Sequence, residues 1–322
     1  MEAEAKLKRP ILLCISVLAL IAGCGDEQFQ APPDCGGRFL VVYSRQPAAD
    51  QGDLYLFDYD GLGFHLLPGI NATGQAELNP TLSRNVRFIA FERVLTPTDH
   101  DILVYDRCQA ASVSPPGLNN TGIDRDPAFS GDANKMAFVR DTLGRREVRL
   151  YDGTIDRLVP LPGIEGGSSY LDSSPTTNQD ATLIAFSRSA AGNDDVLIYD
   201  TVNDSLVDYP DLASSGSDVD PAMTPDGRYV VFASDRDHPG DYDLFLYDLQ
   251  TRVFITLPAA ANTPMTERHP SVNFSTDRIA FESNRTGTQG SSDIYLLTRS
   301  TGSVANSGSS TTTDVQPWIA WQ

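Results

Sequence analysis

The feature that most constrains this chain is a repeat of about 47 residues that runs through nearly its whole length. Pro80, Pro127, Pro175, Pro221, Pro270 and Pro317 follow one another at intervals of 47, 48, 46, 49 and 47 residues. Three residues before each stands an acid: Glu77, Asp124, Asp172, Asp218, Glu267 and Asp314. An apolar run follows the first five prolines, as in Phe88-Ile89-Ala90-Phe91 and Leu183-Ile184-Ala185-Phe186, and Leu40-Val41-Val42-Tyr43 precedes the first. Each run leads to an arginine (Arg45, Arg93, Arg140, Arg188, Arg236 or Arg285), and then to a segment opened by an acid, such as Asp101-Ile102-Leu103-Val104-Tyr105-Asp106. A weaker fourth segment ends near Pro68, Pro116, Pro162, Pro210 and Pro258. Short segments rich in β-branched and aromatic residues and bounded by turn residues are strands. Four per repeat, repeated six times, predict an all-β fold: a six-bladed β-propeller of four-stranded blades.

The two ends predict how the ring shuts. The first repeat, from Arg38, has three strands and lacks the one that carries acid-x-x-Pro. The last segment, Asp314-Val315-Gln316-Pro317-Trp318-Ile319-Ala320-Trp321, is such a strand with nothing after it. Three N-terminal strands plus one C-terminal strand complete the sixth blade and remove an open sheet edge. An open solenoid would carry atypical caps instead.

The same residues carry a family resemblance. Acid-x-x-Pro, Ile-Ala-Phe, Ser-x-Arg and Asp-Ile-Tyr, best seen in Asp218 to Arg228, Ser283-Asn284-Arg285 and Asp293-Ile294-Tyr295, resemble the TolB-type, WD-repeat-like propeller repeat. The resemblance covers residues 38–322 and implies the fold rather than an activity. Most repeats depart from the Pro-Asp-Gly turn, for example at Ser83-Arg84-Asn85. TolB carries a further domain before its propeller, where this chain has only a short tether, so the resemblance does not extend to a role in the Tol–Pal system.

The first residues read as an address. Lys6, Lys8 and Arg9 precede a 13-residue apolar run, Ile11 to Gly23, the pattern of a secretory signal and too short for a comfortable membrane span. Leu20-Ile21-Ala22-Gly23-Cys24 resembles a bacterial lipobox, which implies lipidation of Cys24 and removal of residues 1–23. Residues 24–37, with Ala31-Pro32-Pro33, form the lipidated N-terminus and an extended tether, and residues 38–322 the propeller. Gly25 follows the candidate lipidated cysteine, whereas in the sorting rule that resemblance brings, Asp there retains a lipoprotein in the inner membrane. The expected location is therefore the bacterial cell envelope, lipid-anchored at the outer membrane. Of the four cysteines, Cys14 goes with the signal and Cys24 with the lipid. Cys35 and Cys108 remain, to pair in an oxidising compartment or to stay free and buried.

Composition narrows the function. With 24 Lys plus Arg against 43 Asp plus Glu, the formal charge is −19, which disfavours nucleic acid as a partner. The four histidines, His65, His100, His238 and His269, show no metal-ligand spacing. His269 precedes a repeat proline, where the other repeats place Asn, Asp, Ser or Gln, and reads as a variable loop position. There is no Gly-x-Ser-x-Gly elbow, no phosphate loop and no EF-hand spacing. Each arginine and the acid opening the next segment flank one hairpin and read as an ion pair within the blade. Tyr105, Tyr151, Tyr199 and Tyr247 read as packing between blades. The small polar loops, such as Asn71-Ala72-Thr73-Gly74 and Asn119-Asn120-Thr121-Gly122, offer the best surface for a partner.

The six acids Glu77, Asp124, Asp172, Asp218, Glu267 and Asp314 are expected at one mouth of the central channel. There they either take hydrogen bonds and arginine partners, as architecture, or hold a cation, for which calcium suits an all-oxygen ring. No other cofactor is implied. The resulting expectation is a monomeric, non-catalytic, lipid-anchored propeller that binds an envelope protein or a peptidoglycan-associated partner. The rival is a metal-dependent propeller enzyme acting on a polysaccharide or lactone.

Overall fold

The computed structural model describes residues 39–48, 51–142, 144–166, 170–285, 292–306 and 313–319. Residues 1–38, with Cys24 and Cys35, lie outside this set. The described residues form 24 strands and one 3-10 turn, Pro210–Leu212, and none of their helices is long and apolar enough to cross a membrane.

The strands group as the repeat predicts. The first unit has β1 (Leu40–Ala48), β2 (Gln51–Asp58) and β3 (Gly63–His65); the second has β4 (Ala76–Leu82), β5 (Phe88–Thr96), β6 (Asp99–Asp106) and β7 (Ala111–Val113). The third has β8 (Ile123–Phe129), β9 (Lys135–Thr142), β10 (Arg145–Asp152) and β11 (Arg157–Val159); the fourth has β12 (Leu171–Thr177), β13 (Leu183–Ala190), β14 (Asn193–Asp200) and β15 (Ser205–Val207). The fifth has β16 (Asp218–Met223), β17 (Tyr229–Ser234), β18 (Asp243–Asp248) and β19 (Val253–Ile255); the sixth has β20 (Glu267–Val272), β21 (Arg278–Ser283), β22 (Asp293–Thr298) and β23 (Ser303–Asn306). The last strand, β24 (Thr313–Ile319), lies antiparallel beside β1, with Val41 opposite Ile319 and Arg45 opposite Asp314, and the first sheet runs β24-β1-β2-β3.

The middle strands are apolar on both faces because each sheet is covered on both sides. Phe91, Phe138, Phe186, Phe232 and Phe281 occupy one repeat position and are fully buried. The buried apolar residues fall into clusters that each join two consecutive units. Leu40, Val42, Leu54 and Leu56 pack with Ile89, Phe91 and Tyr105. The last such cluster joins the sixth unit to the first, through Ala280, Ile294 and Leu296 against Val41, Tyr43, Phe57 and Ile319. No unit owns a core; removing one opens two clusters.

Candidate functional site

Each first strand contains acid-x-x-Pro, and the proline decides its shape. Proline has no N–H to give to the ladder, and in each of these strands the register shifts across it: between Leu78 and Thr81, Arg125 and Ala128, Ser173 and Thr176, Val219 and Ala222, Arg268 and Ser271. The shift is a β-bulge, which re-aims a side chain. In β24 it falls opposite Val42 and Ser44. The residue before each proline takes a left-handed conformation, with φ of 49° at Asn79, 52° at Asp126, 48° at Ser174, 53° at Asp220, 46° at His269 and 56° at Gln316. These six residues, their six prolines and Trp318 line one cavity of about 100 Å³. Six chain segments spaced by a repeat length thus converge on one axis.

The lining side chains are tied to one another. Asn79 Nδ2 donates to Asp126 Oδ1 at 2.7 Å and to Glu92 Oε2 at 2.6 Å, and its N–H donates to Gln316 Oε1 at 3.2 Å. Ser174 donates its N–H to Asp126 at 3.3 Å and its hydroxyl to Asp220 at 3.0 Å. Arg268 pairs with Asp220 at 2.9 Å, and His269 lies 2.8 Å from Glu282 and 3.5 Å from Asp220. His100 Nδ1 meets Glu92 at 2.5 Å.

The two aspartates of this ring titrate oppositely. Burial, then the charge of Glu92, pushes Asp126 up to about 6. Burial acts on Asp220 as well, but the charges of His269 and Arg268 and the hydrogen bonds from Arg268 and Ser174 outweigh it, and its carboxyl sits below the usual range. Burial would lower His269; the charge of Asp220 and the contact with Glu282 raise it instead. The ring therefore holds a protonatable acid and an ionised one on either side of Ser174. Among the described residues, no group of three or more His, Cys, Asp or Glu side chains is arranged to hold a metal ion.

The acids three residues ahead of the prolines occupy a different place. Glu77, Asp124, Asp218, Glu267 and Asp314 are wholly buried and Asp172 nearly so, and the axial cavity is lined by other residues. Each meets the arginine of its own sheet: Arg93–Glu77 at 2.9 Å, Arg140–Asp124, Arg188–Asp172 and Arg45–Asp314 at 2.7 Å, Arg236–Asp218 at 2.6 Å and Arg285–Glu267 at 3.0 Å. The acids also accept backbone N–H groups, from Ala72 to Glu77, Asn120 to Asp124 and Thr263 to Glu267. Burial still pushes Glu77, Glu267 and Asp314 upward, against these bonds and their arginines. The arginines thus turn to the first strand, not to the acid across the hairpin, although Arg93 does face Asp101 in the β5–β6 register. The reason is burial: a desolvated carboxylate left unpaired would cost more than one at a hairpin end. The arginines also reach the link from the preceding unit, donating to the carbonyls of Ile70, Leu118, Ile164 and Ala261.

The tyrosines bridge units. Tyr105 donates to the Pro68 carbonyl at 3.0 Å, Tyr151 to Pro116 at 2.8 Å and Tyr247 to Asp211 at 3.1 Å, each at the exit of the preceding unit. The loop asparagines are structural as well: Asn71 and Asn119 clamp the backbone of Leu54 and Ile102 from both sides. Cys108 is disulfide-bonded.

The residues before the prolines are the axial group hardest to pick out from sequence. Their signal was chemical, not a conserved letter: Asn, Asp, Ser, Asp, His and Gln are all polar, and a variable loop and a channel wall satisfy that pattern equally.

No protein-family model matches the sequence, and no curated protein does. Solved structures match across most of the chain. TolB from Acinetobacter baumannii superposes with a TM-score of 0.70 at 17% identity, over 90% of this chain and 68% of that one. A putative TolB from Agrobacterium tumefaciens gives 0.64 at 12% identity, over 84% and 90%. An oligogalacturonate lyase in complex with manganese gives 0.54 at 12% identity, over 82% and 73%. At these identities the likeness speaks for the fold: the chain is an all-β protein with the β-propeller fold of TolB-like structures.

Proposed function

We propose that this chain is a non-catalytic, lipid-anchored binding propeller of the cell envelope, with six blades closed by β24 beside β1–β3. The observation that carries the reading is the state of the axial cavity. At about 100 Å³, it is below the roughly 300–1,000 Å³ of pockets that bind small molecules, and its polar groups already bond one another from unit to neighbouring unit around the axis. A partner would then be held by the outer surface and the small polar loops, and the TolB likeness supports a protein partner in the envelope. In this reading residues 1–23 are the signal, Cys24 carries the lipid, residues 24–37 are the tether and Cys35 is the disulfide partner of Cys108. The membrane reached is the outer one.

Two measurements test the reading. Cells fed labelled palmitate should label the wild type and not Cys24→Ser, which should leave the membrane fraction; an unlabelled wild type overturns the anchor. Purified protein should release no product from polygalacturonate or a lactone panel with manganese or calcium present. Turnover would establish instead the rival, a metal-dependent enzyme of the kind the lyase likeness suggests.

A further inference from the structure

The outermost strand of the first unit, with its flanking residues, exposes more apolar side chain than the matching strands, of which Leu206, Val253 and Phe254 are exposed by 43%, 52% and 41%. β3 is the free edge of its sheet, and along residues 62–67 exposure alternates with period two. A half-exposed edge strand ordinarily turns polar residues outward. Here the outward positions are Leu62, Phe64 and Leu66, exposed by 79%, 52% and 90%.

Position by position, the anomaly lies in the two leucines, since Phe64 matches Ser112, Leu158, Leu206, Phe254 and Val304. Leu62 stands in the turn before the fourth strand at φ 50°, in the left-handed region, where the other units place Ala110, Asp156, Asp204, Arg252 and Gly302. A branched apolar side chain there is strained and gains no burial within the fold. Leu66, two residues before the unit's exit proline, matches Ser114, Pro160, Asp208, Thr256 and Asn306. Both leucines sit where five aligned units use small, polar or proline residues.

The chain that precedes the fold enters β1 at the end of the sheet where the turn between β2 and β3 lies. The Tyr59 N–H donates to the Phe39 carbonyl at 3.0 Å, and the two rings meet edge to face at 6.1 Å. Phe39, the first described residue, is therefore held against the turn that carries Leu62. Residues 25–38 between Cys24 and that point span at most about 50 Å when fully extended. A lipid on Cys24 would keep this edge, more than the rest of the molecule, near the bilayer. Two acids flank the patch: Asp58, which accepts the N–H groups of Asp60 and Gly61, and Asp60 itself. They disfavour an anionic surface and leave a zwitterionic one open.

We propose that Leu62, Phe64 and Leu66 form a bilayer-contacting edge that inserts into the interface of a zwitterionic lipid surface and fixes the orientation of the anchored propeller. The proposal rests on the lipid-anchored reading for its geometry, while the patch itself does not. Apolar side chains at an interface bind in proportion to the area they bury.

The experiment uses the full-length protein purified from its membranes, with the mass of the Cys24 peptide recorded, on vesicles of phosphatidylcholine and phosphatidylethanolamine. Hydrogen exchange is followed for residues 60–67 and, as internal reference, for the equivalent residues 202–209 of the fourth unit. Slowing confined to 60–67 on vesicles is the expected result. Leu62→Ser/Leu66→Ser, with unchanged circular dichroism, should leave vesicles about tenfold faster, and anionic lipid should weaken the wild-type contact. Equal exchange in the two stretches, or unchanged retention of the variant, overturns the proposal. Protection that follows protein concentration without vesicles also overturns it, in favour of a second copy. If Cys24 carries no lipid yet 60–67 is protected on vesicles, the anchor fails and the edge stands.

Discussion

Replacing Arg188 by methionine should cost more stability than any change at a surface ion pair. Arg188 is 9% exposed and Asp172 1%. The guanidinium grips both carboxylate oxygens, at 2.7 and 2.9 Å, and donates to the Ile164 carbonyl at 3.3 Å. It also lies over the rings of Phe186 and Tyr170, 5.1 and 4.9 Å from their centroids. With methionine, Asp172 stays buried and keeps, among the described residues, the Val148 N–H at 3.3 Å. Breaking a buried pair from one side costs about 3–5 kcal/mol, whereas exposed pairs contribute about 0–1 kcal/mol. Arg145–Glu147, whose arginine side chain is 46% exposed, is the control. At about 2–4 °C per kcal/mol for a chain of this order of size, Arg188→Met should melt roughly 6–20 °C lower, and Arg145→Met within about 4 °C of wild type. Arg188→Met/Asp172→Leu, which removes both charges, should recover about 2 kcal/mol or more of the single loss. Urea unfolding followed by tryptophan fluorescence and by circular dichroism gives the free energies, provided the two probes coincide. If Arg188→Met costs no more than Arg145→Met, the buried pairs do not hold the first strands, and the argument from burial fails.

Three further outcomes follow from the same geometry. Deleting residues 314–322 removes the partner of β1, the Arg45–Asp314 pair and Ile319 from the cluster joining the last unit to the first; the truncated chain should aggregate or lose its cooperative melt, and a monomer with unchanged melting would refute closure through β24. Asp126 holds its proton to about pH 6 when folded but only to about 3.9 when unfolded. The folded state therefore carries the extra proton between these values, and stability falls as pH rises through them. Asp126→Asn should remove that fall, gaining up to about 3 kcal/mol on wild type between pH 4 and pH 7 in urea midpoints; parallel pH profiles would refute it. Because each of the six buried acids is paired with an arginine, and only Glu77 Oε2 and Asp218 Oδ2 among their oxygens are buried without a hydrogen bond among the described residues, melting should move by no more than about 1 °C between chelator and millimolar calcium, and a rise that grows with calcium would reveal a cation site by linkage.

What could be read in the sequence was whatever the repeat expresses as position. Phe91, Phe138, Phe186, Phe232 and Phe281 recur at one offset and are all buried, and the incomplete first and last repeats anticipate β24 beside β1. The acid at offset minus three was equally visible, but its direction was not. Strand alternation places a side chain on one face or the other, and the bulge at the proline resets that parity. With the shift, the acid turns into the sheet toward its arginine, and the residue before the proline turns to the axis.

That reversal gives a test of its own. A residue preceding proline normally avoids helical conformations and adopts extended ones, yet Asn79, Asp126, Ser174, Asp220, His269 and Gln316 all sit at positive φ. Asn, Asp and His tolerate that region better than most residues, and β-branched side chains do not. Ser174, at φ 48°, lets the conformational cost be separated from the hydrogen bond its hydroxyl gives Asp220. Ser174→Gly loses the bond and keeps an unstrained backbone. Ser174→Val loses the bond and also meets the left-handed penalty, roughly 1–2 kcal/mol for an ordinary residue and more for a branched one. The valine variant should therefore unfold at least about 1 kcal/mol before the glycine variant in urea. Valine as stable as glycine would mean that the bulge relaxes without cost, and that the polar ring owes its place on the axis to something other than the proline beside it.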